Sequence, residues 1–216
     1  MRAIVLPVKA LHEAKSRLSP MLTPLERAAL TLAMLEDVLD ASLVMPGWDS
    51  WVISPDEAVL EVAATRGALP IAEEKPSLAA ALHQVEDEAQ ARGLVALAVV
   101  LPDTPLLTPT GLTRALHTLG PVVIGPSSDA EGTNLLLRRG PDAISSHFGP
   151  DSFRKHLQAA AEMSIPASVV ESEEIGFDLD LPGDILTVLR ARRKGRARAV
   201  LLEMDAAPRL EASTGG

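Results

Sequence analysis

Short apolar runs alternate with longer stretches of helical spacing from residue 3 to residue 124. Ala3-Ile4-Val5-Leu6-Pro7-Val8 is brief and apolar at every position, the pattern of a strand covered on both faces. Thr23-Pro24-Leu25-Glu26 spells a capping box with proline at the first helical position. Leu25, Ala28, Ala29, Leu32, Leu35, Leu39 and Leu43 then recur at helical spacing up to Pro46-Gly47. A strand is expected at 51–53, a helix from Asp56 to Arg66, a brief strand at 69–72 and an amphipathic helix over 77–92. Leu94 to Leu101 is the most apolar run and reads as the central strand. A helix opens at Thr108-Pro109, and Val122-Val123-Ile124 is the next strand.

Strand and helix thus alternate, which implies a doubly wound, mainly parallel α/β sheet. The regularity changes after residue 126. Ser127–Asn134 is polar, Leu135–Arg138 reads as a strand and Asp151–Met163 as a helix. Two more strands are expected at 167–171 and 175–181, with an antiparallel component, and a last helix over 182–194. One domain is expected over 1–195. The segment 196–216 loses periodicity and is expected to be partly disordered.

Composition narrows the partners. The chain has 216 residues, 47% of them hydrophobic, enough for a full core. With two tryptophans, three phenylalanines and no tyrosine it lacks stacking platforms for single-stranded nucleic acid, and its net charge of −9 argues the same way. There is no cysteine, which excludes disulfides and thiolate–metal sites and fits the cytoplasm. The apolar run at the N-terminus is too short for a signal peptide, and no segment reaches the ~20 apolar residues of a membrane span. A homodimer is allowed.

Candidate chemistry lies at the strand ends. In Gly176-Phe177-Asp178-Leu179-Asp180-Leu181-Pro182 the apolar residues alternate with two aspartates. On a strand these carboxylates share a face roughly 6–7 Å apart, within reach of one hard cation. Alone, the stretch reads first as a polar strand edge with a helix N-cap. A third carboxylate, Asp103, follows the central strand in Leu101-Pro102-Asp103-Thr104-Pro105. Lys9, Lys15 and Arg17 follow the first strand, where a doubly wound sheet faces its ligand crevice. Three cations there suit a polyphosphate, though no glycine-rich loop accompanies them. Gly125 to Asn134 has the small residues of an anion nest, with Thr133 and Asn134 adding side-chain donors. Gly149 permits close backbone approach, and Ser152 falls in the first turn of a helix whose N–H groups can meet phosphate. His156 reads as a surface or structural histidine. The basic run Arg190–Arg198 reads as a solvated helix C-terminus.

Taken in order, these motifs resemble the 2-phospho-L-lactate guanylyltransferase family of deazaflavin coenzyme F-420 biosynthesis. They are Pro7-Val8-Lys9 with Ala14-Lys15-Ser16-Arg17-Leu18, Pro102-Asp103-Thr104-Pro105, Pro126-Ser127-Ser128-Asp129 with Gly132-Thr133-Asn134, Phe148-Gly149 with Ser152-Phe153 and His156, and Asp178-Leu179-Asp180-Leu181-Pro182. The resemblance implies a nucleotidyltransferase fold (that of the nucleotide-diphospho-sugar transferases). It implies transfer of GMP from GTP to 2-phospho-L-lactate, phosphoenolpyruvate or 3-phospho-D-glycerate with release of diphosphate. It places Mg²⁺ on Asp103, Asp178 and Asp180, the acceptor on Thr133, Gly149 and Ser152, and the triphosphate on Lys15, Arg17 and Lys9. One departure is Ser77-Leu78-Ala79, where relatives often carry Gly-Leu-Asn; that segment is expected near the base or ribose. The alternatives are a molybdopterin or sugar-phosphate acceptor on the same fold, and a non-catalytic nucleotide-binding regulator.

Overall fold

The computed structural model describes residues 1–209. Its seven strands are β1 (Arg2–Pro7), β2 (Asp49–Ser54), β3 (Leu69–Ala72), β4 (Ala96–Val100), β5 (Val122–Pro126), β6 (Thr133–Arg139) and β7 (Ala167–Val169). They form one sheet in the order β3-β2-β1-β4-β6-β5-β7. β4, from the most apolar run, is indeed the middle strand, and all five of its residues are buried. Pairing is parallel except at β6, which runs antiparallel to both β4 and β5.

The helices are α1 (Pro24–Ser42), α2 (Glu57–Arg66), α3 (Leu78–Ala91), α4 (Pro109–His117), α5 (Ser152–Glu162), α6 (Glu173–Gly176), α7 (Asp184–Arg190) and α8 (Arg196–Glu203). The capping box opens α1: Thr23 accepts from the Glu26 N–H, and the Glu26 carboxylate accepts from the Thr23 N–H. One sheet face packs against α1, α2, α4 and α6 through Leu35, Leu39, Val59, Leu112 and Ile175. The other packs against α3 and α5 through Val85, Ala89 and Ala160. Aliphatic side chains fill both layers. Among the described residues no helix is long and apolar enough to cross a membrane.

Four expectations are corrected. Residues 177–181 are not a strand; α6 occupies 173–176, and the chain beyond it is irregular. The Leu179 N–H bonds the Asp103 carbonyl at 3.0 Å. The Asp184 carboxylate then takes the N–H groups of Asp180 and Leu181, at 2.9 and 2.6 Å, and curls the chain away from the sheet. The last helix of this region therefore starts at Asp184 rather than residue 182.

Only part of the basic run is a solvated helix end: Arg190 closes α7 and is exposed, as are Arg192 and Lys194, but the rest is held by the fold. Arg193 donates to the carbonyls of Pro105, Leu107 and Asp37. The buried Asp37 carboxylate accepts from the N–H groups of Arg196 and Ala197 at 2.8 and 2.9 Å. These bonds start α8, which the sequence leads one to expect as partly disordered. Its Ala197 and Leu201, with Ala206 beyond it, are fully buried against Leu30, Ala33 and Met34 of α1. Residues 210–216, the rest of that expected tail, lie outside the described residues.

Candidate active site

β1 passes to β2 on one side while β4 lies on the other, a switch point of the kind at which open α/β sheets leave a crevice. The loop after β1 is drawn into it. Ala14 and Leu18 are buried, the Leu11 N–H bonds the Asp56 carboxylate at 3.0 Å, and Lys15 turns through a left-handed conformation at φ 50°. The Lys15 ammonium donates to Asp103 Oδ2 at 3.0 Å and to Asp180 Oδ1 at 2.8 Å. Its side chain is only 7% exposed. Burial alone would lower its pKa, but Asp103 and Asp180 outweigh burial and raise it. Burial acts on Asp180 in the opposite sense; Lys15, Arg17 and Lys9 overcome it and hold that carboxyl below its usual range. Arg17 stands 3.5 Å from Asp180 and is largely exposed. The three cations after β1 thus all act on one aspartate.

Asp103 sits in a turn closed by the Thr104 hydroxyl, which donates to the Leu101 carbonyl at 2.9 Å. Its Oδ1 is buried and, among the described residues, has no hydrogen-bond partner. Asp178 is pushed up to about 6, first by burial and then by the Asp103 charge, against the Asn134 amide that donates to its Oδ1 at 3.3 Å. The structure brings all three aspartates to this crevice, with Lys15 between two of them. Among the described residues no three carboxylates or histidines stand together at metal-cage spacing.

Thr133 and Asn134 serve opposite sides of the sheet, as neighbours on a strand do, and a β-bulge decides which side each one takes. Gly125 pairs with Leu135 and Pro126 with Thr133, which leaves Asn134 as an extra residue. Leu135 and Leu137 pack with Ile175, Leu136 with Ala160. Strict alternation would put Asn134 beside Leu136. The bulge instead turns it towards α6, where its amide donates to the carbonyls of Ile175 and Gly176 at 3.0 and 3.1 Å. Thr133 turns the other way, 3.0 Å from His156 Nδ1 on α5. Ser152, one turn before His156 on the same helix face, is also buried, and its N–H bonds the Gly149 carbonyl at 3.2 Å. Gly149, at φ 119°, gives the turn a backbone shape that a side chain would strain.

Main-chain bonds already take up much of two expected anion sites. In the 127–132 loop the N–H groups of Glu131 and Gly132 bond Asp129 and Ser127, and those of Ser128 and Ala130 bond carbonyls. At the start of α5 the Phe153 N–H bonds the Glu131 carbonyl at 3.3 Å. His156 is fully buried, so of the two sequence readings the structural one holds. Asp184 and the bulge were not foreseen. Asp184 stands four residues after Asp180 just beyond Pro182-Gly183, and that spacing is the signal that could have found it.

A family model described as guanylyl transferase CofC like matches residues 1–210. The chain belongs to that family. This CofC-like chain is 41% identical over 184 residues to a phosphoenolpyruvate guanylyltransferase of Rubrobacter xylanophilus, covering 84% of this chain and 90% of the relative. It is 35% identical over 187 residues to a 2-phospho-L-lactate guanylyltransferase of Archaeoglobus fulgidus, covering 86% and 82%. Its fold resembles that of a Desulfovibrio desulfuricans protein named as a nucleotide-diphospho-sugar transferase, with a TM-score of 0.77 over 98% of this chain and 97% of that one, at 19% identity. The expected fold and the expected family are both borne out. The CofC-like chain is an enzyme of nucleotidyltransferase type.

Proposed function

We propose that the chain transfers GMP from GTP to the phosphate of a small phospho-acid, with phosphoenolpyruvate first among the acceptors, and releases diphosphate for deazaflavin coenzyme F-420 biosynthesis. The observation that carries this reading is the Lys15 ammonium held between Asp103 and Asp180 at the β1–β4 crevice, in a chain of this family. The name of the 41%-identical relative supports the acceptor.

The acceptor phosphate, with a second pKa near 6, is mostly dianionic at neutral pH and needs no general base. Its oxygen attacks the α-phosphorus of GTP, the new P–O bond forms, and the bond to diphosphate breaks. Repulsion between the two anions is the obstacle. Lys15, Arg17 and Lys9 draw the triphosphate to the crevice and take up charge as diphosphate leaves. Thr133, Gly149 and Ser152 hold the acceptor.

Asp103, Asp178 and Asp180 are hard oxygen donors that suit Mg²⁺. Among the described residues the buried Asp103 Oδ1 has no partner, and burial and the Asp103 charge push the Asp178 carboxyl up to about 6; both fit a cation. When bound, Mg²⁺ would supply Lewis-acid neutralisation of phosphate oxygens.

The test incubates the protein with GTP, Mg²⁺ and each candidate acceptor and reads the products by mass spectrometry. A guanylylated phosphoenolpyruvate with stoichiometric diphosphate is the expected result. Product with a sugar phosphate alone, or GTP binding without diphosphate release for any acceptor, overturns it.

A further inference from the structure

The His156 imidazole is spent at both nitrogens, and the two bonds together dictate its protonation. The His147 main-chain N–H can only donate, and it meets His156 Nε2 at 2.8 Å. Nε2 is therefore the bare, accepting nitrogen, and the neutral ring carries its proton on Nδ1. That proton faces Thr133 Oγ1 at 3.0 Å. The Thr133 oxygen thus accepts from the ring, and its own hydroxyl proton must point elsewhere. Thr133 is 1% exposed, and among the described residues its hydroxyl makes no second hydrogen bond. A buried O–H with an unspent proton is costly unless a ligand takes it.

The ring has no second state in reach. It is 0% exposed, with the Phe148 ring edge-on 5.1 Å away. Burial, then the charges of His147 and Arg138, depress its pKa to about 3. A second ring proton would also set N–H against N–H at His147.

We propose that His156 is a positioning residue that turns the Thr133 hydroxyl into an obligate hydrogen-bond donor towards the anionic acceptor substrate. This rests on the reading that Thr133 lines the acceptor site. It gives the site a rule of chemical selection. An unprotonated phosphate or carboxylate oxygen can take the Thr133 proton, whereas an acceptor that presents its own O–H there meets a second donor. The β-bulge at Asn134 is what aims Thr133 at the ring.

The test measures KM for phosphoenolpyruvate and for GTP in wild type, His156→Leu, His156→Gln, Thr133→Val and the His156→Leu/Thr133→Val double variant. Losing a hydrogen bond to a charged group should raise the acceptor KM roughly tenfold to a hundredfold in His156→Leu while the GTP KM holds. His156→Gln, whose amide can accept from His147 and donate to Thr133, should recover most of that loss. The double variant should be no worse than Thr133→Val alone. An unchanged acceptor KM in folded His156→Leu, equal rises in both KM values, or additive losses in the double variant would each overturn the proposal. Should His156→Leu fail to fold, nitrogen-15 NMR of the wild-type protein decides: a protonated Nδ1 with a bare Nε2 supports it, and the opposite tautomer overturns it. A wild type that releases no diphosphate with any acceptor overturns the proposed function and this inference with it; activity with a flat His156→Leu overturns this inference alone.

Discussion

Two clusters join acidic and basic side chains from distant parts of this chain, and they are built on opposite terms. Around Asp37 every charge is matched: its carboxylate takes two main-chain N–H groups, and Arg193 beside it is spent on three carbonyls. Around Asp103 the matching fails. One of its oxygens is buried with no donor among the described residues, and neighbouring Asp178 is pushed up to about 6. A matched cluster fastens one segment to another. An under-matched cluster keeps attraction in reserve for something that arrives. The number of charges does not tell the two apart; the fate of each carboxylate oxygen does.

Breaking the matched cluster should cost stability. Asp37→Ala leaves the N–H groups of Arg196 and Ala197 without their acceptor and removes the carboxylate 3.9 Å from Arg193, and we expect a loss of about 3–5 kcal/mol by denaturant unfolding, with α8 released from α1. Breaking the under-matched cluster should cost turnover. Asp180→Asn is expected to lower kcat by roughly 10²–10³-fold while the unfolding midpoint barely moves, because the change also relieves repulsion on Asp178. A stability loss in Asp180→Asn comparable to that of Asp37→Ala would erase the distinction.

The third prediction concerns pH. His156 is neutral when folded, with its pKa near 3 rather than 6.5. Above pH 6.5 both folded and unfolded rings are neutral. Between 6.5 and 3 only the unfolded ring binds a proton, so stability falls as pH falls. Wild type should lose about 1.4 kcal/mol per pH unit more than His156→Gln in that window, measured by urea unfolding at stepped pH. The smallest effect belongs to the rim: Arg17, 69% exposed, should change the GTP KM only a few-fold on Arg17→Ala, and less at high salt.

How far the sequence could be read depended on whether neighbours or distance set the structure. The capping box at Thr23, the apolar run of β4 and the proline opening α4 are local devices, and each appears where the sequence places it. Strand-end position brought Lys15 and Asp103 into one crevice, since a parallel sheet gathers its outgoing loops along a single edge; Asp178 and Asp180 reach it from irregular chain after α6, where the Leu179 N–H bonds the Asp103 carbonyl. Residues 177–181 misled because alternation alone does not make a strand; a ladder partner is needed, and Asp184 claims the N–H groups first. The segment after 195 misled because α8 forms on an acceptor 159 residues away, the Asp37 carboxylate, which no window around it contains. The Thr133–His156 pair was hidden for the same kind of reason, being set by the bulge rather than by either residue's own surroundings.

The bulge carries a consequence for how this chain can change over time. The hairpin between Pro126 and Thr133 can lengthen or shorten at little cost to the side chains beyond it. Deleting Asn134 would restore strict alternation and leave the threonine opposite Leu135, still on the side of the imidazole, but it would remove the amide that bonds the carbonyls of Ile175 and Gly176 and the Asp178 carboxylate. Length variation should therefore be tolerated up to that point in the chain and stop there.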